Sequence, residues 1–224
     1  MKKVAVLLAG CGVMDGAEIN ETVLTLLALD KANACYQCVA PNRLHWPINH
    51  LDNQVETTQR NILVEAARIV RGEILPLDQV KVSTFDALIV PGGFGVAKNF
   101  SDFAKQGAKS QVEPDIAKFI QAFRDTAKPV GLLCIAPVLA PKLYPAQTQV
   151  TVGNDPSIHQ AMTQMGAQTQ DCMVTEIVID KAQKLVTTPA YMLAQRISEA
   201  AVGIERLVEA VLALTDGDER LTQT

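Results

Sequence analysis

The stretch Lys128–Pro137 has the sequence KPVGLLCIAP. A short apolar run from Val130 leads directly into Cys134, and Pro137 follows three residues later. A continuous apolar run of this length is typical of a strand that is covered on both faces, and proline suits the first turn of a helix. The stretch therefore predicts a strand over 130–134, a helix over Pro137–Leu143, and a cysteine close to the turn between them.

Strand and helix patterns alternate on both sides of this stretch. The other predicted strands are Val4–Ala9, Cys35–Ala40, Ala87–Val90, Val150–Val152, Ile177–Ile179 and Leu185–Thr188. The other predicted helices are Glu21–Lys31, Thr57–Val70 with Thr57 or Thr58 as N-cap, Glu113–Thr126, Ile158–Met165 and Ala190–Leu214, and 42–56 is predicted as a loop. This order predicts an α/β fold with a mostly parallel central sheet. No repeat or linker divides the chain, so we expect one domain over 1–224, with 215–224 as a loose tail.

Composition narrows the class of protein. Of the 224 residues, 48% are hydrophobic and 20% charged, as in soluble globular proteins. The net charge is -4 and no Lys/Arg cluster exceeds a pair, which disfavours nucleic acid or a membrane as a partner. The apolar run after Lys2 and Lys3 is shorter than the ~7–15 residues of a signal-peptide core, and no run approaches the ~18 of a membrane span. We therefore expect a cytoplasmic protein.

The five cysteines do not indicate a disulfide framework, because their number is odd and no signal peptide is predicted. Cys35 and Cys38 form a CxxC pair. A zinc site would need a second pair of ligands, and a redox CxxC usually opens a helix rather than lying within a strand. We therefore interpret both residues as core thiols and expect no metal site.

Four segments follow predicted strands, where ligands bind in a parallel sheet. They are GCGVMDG (10–16), PGGFG (91–95), the turn at Cys134, and TTPAY (187–191). The first segment resembles a dinucleotide-binding loop, but the third glycine of that pattern is replaced by Asp15. A P-loop lysine is also absent, so nucleotide binding is disfavoured.

Cys134 is the strongest candidate for chemistry. A thiol at a strand-to-helix turn forms the cysteine version of a nucleophile elbow, and the following helix end favours thiolate. The usual elbow has glycine two residues to each side, whereas Leu132 and Ala136 occupy those places here. Backbone N–H groups of Gly92, Gly93 and Ile135 are candidates for an oxyanion site. The alternatives are a buried core cysteine and an ordinary glycine turn.

An activating group for the thiol is less evident. None of His45, His50 and His159 follows a confident strand. Glu18 and Glu21 follow the turn after the first strand, and a partly buried carboxyl group there could act as acid or base near neutral pH. The alternative is that Glu18 and Glu21 only cap the N-terminus of the helix. Of the acids near this turn, Asp15 fits such a capping role best.

The segments FDALIVPGGFG (85–95), KPVGLLCIAP and TTPAYMLAQ (187–195) together resemble the class I glutamine amidotransferase-like superfamily. They are most similar to its ElbB-type glyoxalase branch, also described as isoprenoid biosynthesis proteins with an amidotransferase-like domain. The resemblance covers about residues 3–214. It implies a flavodoxin-like three-layer sandwich, a homodimer, and a cofactor-free enzyme that converts glyoxal, a small aldehyde, to glycolate.

The resemblance also implies roles for particular residues. Cys134 corresponds to the nucleophile, and Glu21 to the glutamate that contacts it, with Glu18 as the second choice. Gly93 and Ile135 would supply oxyanion N–H groups. Many relatives carry a histidine after the next strand, where this chain has Asp155.

The replacement by Asp155 disfavours a Cys-His-acid triad, and with it amidase or peptidase activity. An amidotransferase subunit would also need that histidine, together with a synthase partner. A further alternative is a non-catalytic or redox-sensing protein in which Cys134 is reversibly oxidised.

Overall fold

A seven-stranded sheet forms the centre of the computed structural model, which describes residues 1–215. With strands numbered in chain order, its spatial order is β10 (Val178–Asp180), β11 (Leu185–Thr188), β7 (Val130–Leu133), β6 (Ala87–Val90), β1 (Lys3–Leu7), β2 (Cys35–Ala40) and β5 (Ile74–Pro76). Within this sheet, β10 and β11 pair antiparallel and all the other neighbouring strands pair parallel. Two short ladders pair β3 (Leu44–His45) with β4 (Arg60–Asn61), and β8 (Gln149–Val150) with β9 (Gln168–Thr169).

Helices flank this sheet. They are α1 (Ile19–Lys31), α2 (Ile62–Ile69), α3 (Phe94–Asn99), α4 (Phe103–Gln106), α5 (Pro114–Asp125), α6 (Ala140–Leu143), α7 (Pro156–Gln164) and α8 (Ile197–Thr215). The predicted fold class, a flavodoxin-like sandwich with a mostly parallel central sheet, is confirmed. Within residues 1–215, no helix is both long and apolar enough to span a membrane.

The central strands are buried because helices cover both of their faces. All four residues of β6 and of β7 are buried, as their continuous apolar sequences predict. Gly131 allows α8 to approach β7 closely. A Cβ atom at this position would lie 2.7 Å from Leu207 Cδ2 and 3.1 Å from Val211 Cγ2.

The strand order reverses direction next to β1. The chain passes from β1 to β2 on one side, and β6 later pairs with the other side of β1. The carboxyl ends of β1 and β6 thus flank a switch point, the usual ligand-binding position in such sheets. Because β7 lies beside β6, the turn that follows β7 reaches the same place.

The predicted helix Thr57–Val70 was wrong at its start. Arg60–Asn61 lies within that predicted helix but forms β4. It pairs with β3, which lies in the segment 42–56 that was predicted as a loop. The helix begins only at Ile62, and Asn61 caps it by accepting a hydrogen bond from the Val64 N–H at 3.2 Å. Neither Thr57 nor Thr58 is therefore the N-cap.

The last predicted helix, Ala190–Leu214, is interrupted. Ala190–Met192 forms a separate 3₁₀ turn, and α8 begins at Ile197. Strand β5 was not predicted, because it is short and contains a proline. Of the tail expected at 215–224, Thr215 ends α8, and residues 216–224 lie outside the described part of the chain.

Phe123 provides a test of the core. Its side chain in α5 is fully buried and packs against Phe85 and Phe119, with ring centroids 6.4 and 5.4 Å away. We expect Phe123→Ala to lower the free energy of unfolding by about 3–5 kcal/mol, measured by chemical denaturation. Phe94→Ala is the matched control, because Phe94 is 45% exposed, and should cost less than about 1 kcal/mol. Equal losses would contradict this description of the core.

Candidate active site

Cys134 lies at a sharp turn directly after β7. Its backbone φ is 58°, a left-handed conformation that costs a non-glycine residue roughly 1–2 kcal/mol. The Cys134 N–H donates to the carbonyl oxygen of Thr188 at 2.9 Å, which ties the turn to the end of β11. Residues Ala136–Leu139 then form a 3₁₀ turn that leads into α6. This strand–turn–helix geometry is that of a nucleophile elbow.

Three groups converge on the Cys134 thiol. The backbone N–H groups of Gly93 and Ile135 donate hydrogen bonds to it, and the Glu21 side chain is hydrogen-bonded to it. Cys134 is only 7% exposed, so these contacts lie largely out of reach of water. Both N–H groups favour negative charge at the sulfur.

Glu21 is the carboxyl group of the site. It is fully buried in the first turn of α1. Its Oε2 accepts from the Gly92 N–H at 2.8 Å, and its Oε1 accepts from the Tyr191 N–H at 3.1 Å. These two bonds, one from each loop beside it, hold the carboxyl group against the thiol.

Glu18 has a different position. It is the N-cap of α1, and its carboxylate accepts a hydrogen bond from the Glu21 N–H at 2.6 Å. Helix capping therefore describes Glu18, whereas Glu21 is the residue that contacts Cys134. Asp15, which we expected to be the capping acid, instead accepts from the Ile48 N–H at 2.6 Å.

The glycines of PGGFG allow three loops to meet. A Cβ atom on Gly92 would lie 2.4 Å from Cys134 Cβ and 2.8 Å from Glu21 Oε2. Gly93 has a φ of 98°, and a Cβ atom there would lie 2.3 Å from the Gly16 carbonyl oxygen. Any side chain at either position would separate the thiol, the carboxyl group and the loop after β1.

Burial controls the protonation of this pair. It raises the pKa of Glu21 to about 7, against the opposing hydrogen bond from the Tyr191 N–H. It also raises the pKa of Cys134 well above its ordinary value, and the negative charge of Glu21 adds to this rise. The N–H groups of Gly93 and Ile135 lower the pKa of Cys134, as expected at a helix end, but burial outweighs them. The thiol therefore needs Glu21 to accept its proton when it reacts.

Gly92, Gly93 and Ile135 were predicted to bind an oxyanion. In the structure, the Gly92 N–H is directed at Glu21 rather than at open space. The N–H groups of Gly93 and Ile135 are directed at the sulfur, next to which an oxyanion would form. Oxyanion binding by these three residues stays a prediction.

Asp155 is the N-cap of α7. Its Oδ1 accepts hydrogen bonds from the backbone N–H groups of Ser157 and Ile158 at 2.9 and 3.0 Å. The hydrogen bond from the Ser157 hydroxyl is the main cause that lowers the pKa of Asp155. These contacts describe a helix cap, and a catalytic role for Asp155 stays a prediction. His159, on the same helix, has its Nδ1 3.4 Å from Asp171 Oδ1.

Tyr191 and Thr188 were missed as site residues. The Tyr191 N–H binds Glu21, and the Thr188 carbonyl binds the Cys134 N–H. Their signal in the sequence is the segment TTPAY, which follows the end of a predicted strand in a parallel sheet. Among residues 1–215, no group of three or more His, Cys, Asp or Glu side chains could hold a metal ion.

The fold and the cysteine elbow define the class I glutamine amidotransferase-like architecture. Within it, residues 2–197 match the model of the DJ-1/PfpI family. The chain belongs to the DJ-1/PfpI family.

Two relatives with similar sequences agree with this assignment. The chain is 39% identical to the rat "ES1 protein homolog, mitochondrial" over 95% of its length and 84% of the relative's. It is also 39% identical to the human "Glutamine amidotransferase-like class 1 domain-containing protein 3, mitochondrial", over 95% of its length and 83% of the relative's. Because both names include a mitochondrial location, the cytoplasmic location expected here stays a prediction.

A solved structure shows the same fold over nearly the whole chain. It is an Ehrlichia chaffeensis isoprenoid biosynthesis protein with an amidotransferase-like domain, 34% identical, with a TM-score of 0.90 over 96% of this chain and 99% of the other. Isoprenoid biosynthesis protein with an amidotransferase-like domain is also a description of the branch that the sequence resembles. Membership of the ElbB-type glyoxalase branch stays a prediction.

The raised pKa of Glu21 predicts a pH dependence of stability. Glu21 ionises at about 7 in the folded chain but near its ordinary 4.5 when unfolded, so the folded state binds the extra proton between these values. The free energy of unfolding should therefore fall as pH rises from about 5 to about 7, by up to about 3 kcal/mol. We expect Glu21→Gln to remove this fall, as measured by denaturant unfolding at several pH values.

Glu73→Gln is the matched control, because Glu73 is exposed. It should reproduce the wild-type dependence on pH. A Glu21→Gln variant that kept the wild-type slope between pH 5 and 7 would contradict the raised pKa.

Proposed function

We propose that this protein is a cofactor-independent glyoxalase that converts glyoxal and water to glycolate. The observation that carries the proposal is the buried Glu21 carboxyl group, with a pKa of about 7, hydrogen-bonded to the elbow thiol of Cys134. A group with this pKa can both accept and return a proton near neutral pH. The family supports the proposal, because it includes glyoxalase-like members, alongside stress-response members, and enzymes with a cysteine nucleophile.

The burial of the thiol favours a small substrate. Cys134 is 7% exposed, and Gly92 packs so closely on one side that a Cβ atom there would lie 2.4 Å from Cys134 Cβ. A two-carbon dialdehyde can approach such a sulfur more readily than a peptide or a glutamine side chain. Glyoxal also presents a second carbonyl next to the first, which the proposed reaction needs.

The first step joins the thiol to the substrate. The sulfur of Cys134 adds to one aldehyde carbon while Glu21 accepts the thiol proton, and a hemithioacetal forms. The N–H groups of Gly93 and Ile135 stabilise the oxygen that gains negative charge. Return of the proton from Glu21 to that oxygen completes the addition.

The following steps move a hydrogen between the two carbons. Glu21 removes the proton from the sulfur-bearing carbon, and the second carbonyl is protonated to give an enediol. Protonation of the far carbon, with loss of the proton from the hydroxyl on the sulfur-bearing carbon, then gives the glycolyl thioester of Cys134. Water hydrolyses this thioester to glycolate and the free thiol. One carbon is oxidised and the other reduced, so the atoms and electrons balance without a redox cofactor.

A redox-sensing role for Cys134 is less well supported. Sensor cysteines are accessible and have a low pKa, whereas Cys134 is buried and its pKa is raised. An amidotransferase role would require an acid for the leaving amine, and the described contacts of His159 go to Asp171 rather than to the thiol.

The test is glycolate formation from ¹³C-labelled glyoxal, followed by NMR without added thiol. We expect Cys134→Ser to lower the rate at least about 100-fold, because the serine hydroxyl is a much weaker nucleophile. Glu21→Gln should cost a similar factor, because the amide cannot accept a proton.

Cys35→Ser is the matched control and should leave the rate unchanged. The interpretation of Cys35 as a core thiol was wrong, because it is exposed in β2, whereas Cys38 is buried. Equal glycolate production by the wild type and by Cys134→Ser would reject the proposal. Selective oxidation of Cys134 by mild peroxide, without turnover of glyoxal, would then favour the sensor.

A further inference from the structure

A second cavity lies away from the Cys134 site. It has a volume of about 620 Å³ and is formed by segment 43–62, which carries β3 and β4, and by segment 97–113. We call it the β3–α4 cavity. Its lining includes none of Cys134, Glu21, Gly92, Gly93 and Ile135. Its volume lies within the range of about 300–1,000 Å³ that is common for small-molecule sites.

His45 contributes a buried polar group to this cavity. The residue is 6% exposed, and neither ring nitrogen has a hydrogen-bond partner among residues 1–215. Buried polar groups in proteins are almost always hydrogen-bonded, because an unpaired one is costly. Burial lowers the pKa of His45, so its imidazole is neutral and offers one N–H donor and one acceptor.

Charged groups of both signs line the β3–α4 cavity. The basic residues are Arg43, Lys98 and Lys105, and the acidic residues are Asp102 and Glu113. Asp15 does not line the cavity but acts electrostatically on both Lys98 and His45.

Two of these charged groups are already engaged. The Arg43 guanidinium binds Asp115 at 2.8 Å, and Asp102 accepts from the Gln111 N–H at 2.6 Å. The Lys98 ammonium donates to the Met14 carbonyl at 2.7 Å and keeps further N–H donors. Lys98 is therefore a lining cation with donors left to receive an anion.

Apolar side chains form the outer part of the cavity. Leu44, Trp46 and Val55 line it and are 58%, 56% and 60% exposed. Exposed apolar surface next to a buried polar group suits a ligand with an apolar chain and one polar end.

We propose that the β3–α4 cavity binds a small amphipathic carboxylate. The carboxylate contacts the Lys98 ammonium and the His45 N–H, and the alkyl or aryl part packs on Trp46 and Val55. The ligand carries a carboxylate because Lys98 keeps ammonium donors and His45 offers an unpaired N–H. The proposal does not depend on the glyoxalase reaction, since no group of the Cys134 site takes part.

Trp46 makes the proposal directly testable, because it is the only tryptophan of the chain and it lines the cavity. Hexanoate is titrated into the full-length protein, and the fluorescence emission of Trp46 is measured at each concentration. We expect a saturable change in emission. The neutral analogue 1-hexanol should bind at least about tenfold more weakly, and hexylammonium more weakly still. No saturable response to hexanoate, or equal affinity for 1-hexanol, would overturn the proposal.

Variants separate this site from general charge effects. Lys98→Met should weaken hexanoate binding at least about tenfold and leave 1-hexanol binding unchanged. Lys181→Met removes an exposed lysine outside the cavity and should bind hexanoate as the wild type does. Equal weakening by both variants would show non-specific attraction and reject the site.

A last pair of variants tests the buried group and the independence of the site. His45→Phe keeps a ring of similar size but removes both nitrogens, so it should also weaken hexanoate binding. Unchanged binding by a His45→Phe variant with wild-type thermal stability would reject the role of His45. Cys134→Ser should bind hexanoate normally whatever its effect on glyoxal, and a parallel loss would contradict a separate site.

Discussion

The hydrogen bond between Glu21 and Cys134 is the interaction on which the arrangement of the site depends. Both groups are almost completely removed from water, so neither can ionise without help from the other or from nearby N–H groups. Backbone donors of Gly92 and Tyr191 hold the carboxyl group, and those of Gly93 and Ile135 hold the thiol. The pair is thus surrounded by main-chain dipoles whose positions are set by the ends of the strands.

This arrangement has a local cost that the sheet must offset. Cys134 adopts a left-handed backbone, and Glu21 is a buried carboxyl group. Stability comes from the neighbouring strands β6 and β7, which are buried on both faces, and from the close packing of α8 over Gly131. A rigid sheet of this kind can hold an unfavourable turn in place, and the chemistry is positioned where the strands end.

Helix α3 connects the two parts of the molecule to which we assign binding. It begins after Gly93, whose N–H contacts the Cys134 thiol, and it carries Lys98 near its end. The segment between β2 and α2 covers the other side of the β3–α4 cavity and contributes His45 and Trp46. The Cys134 thiol is buried, whereas the β3–α4 cavity has a volume of about 620 Å³ and is partly apolar. These properties suit different ligands, a two-carbon aldehyde in one and an amphipathic carboxylate in the other.

The sequence by itself determined the fold class, every strand of the central sheet except β5, and the position of the thiol. Ala87–Val90 and Leu185–Thr188 were predicted with their observed bounds, because each is a short run with β-branched residues that is followed directly by proline. Only the tertiary structure decided which acid meets the thiol, because Glu18 and Glu21 are three residues apart in the first turn of one helix and are locally similar. It also decided that helix α2 starts at Ile62, because the pairing of Arg60–Asn61 with Leu44–His45 joins segments far apart in the chain. The tertiary structure likewise decided the raised pKa of Glu21 and the burial of His45, because burial depends on the packing of every neighbouring element.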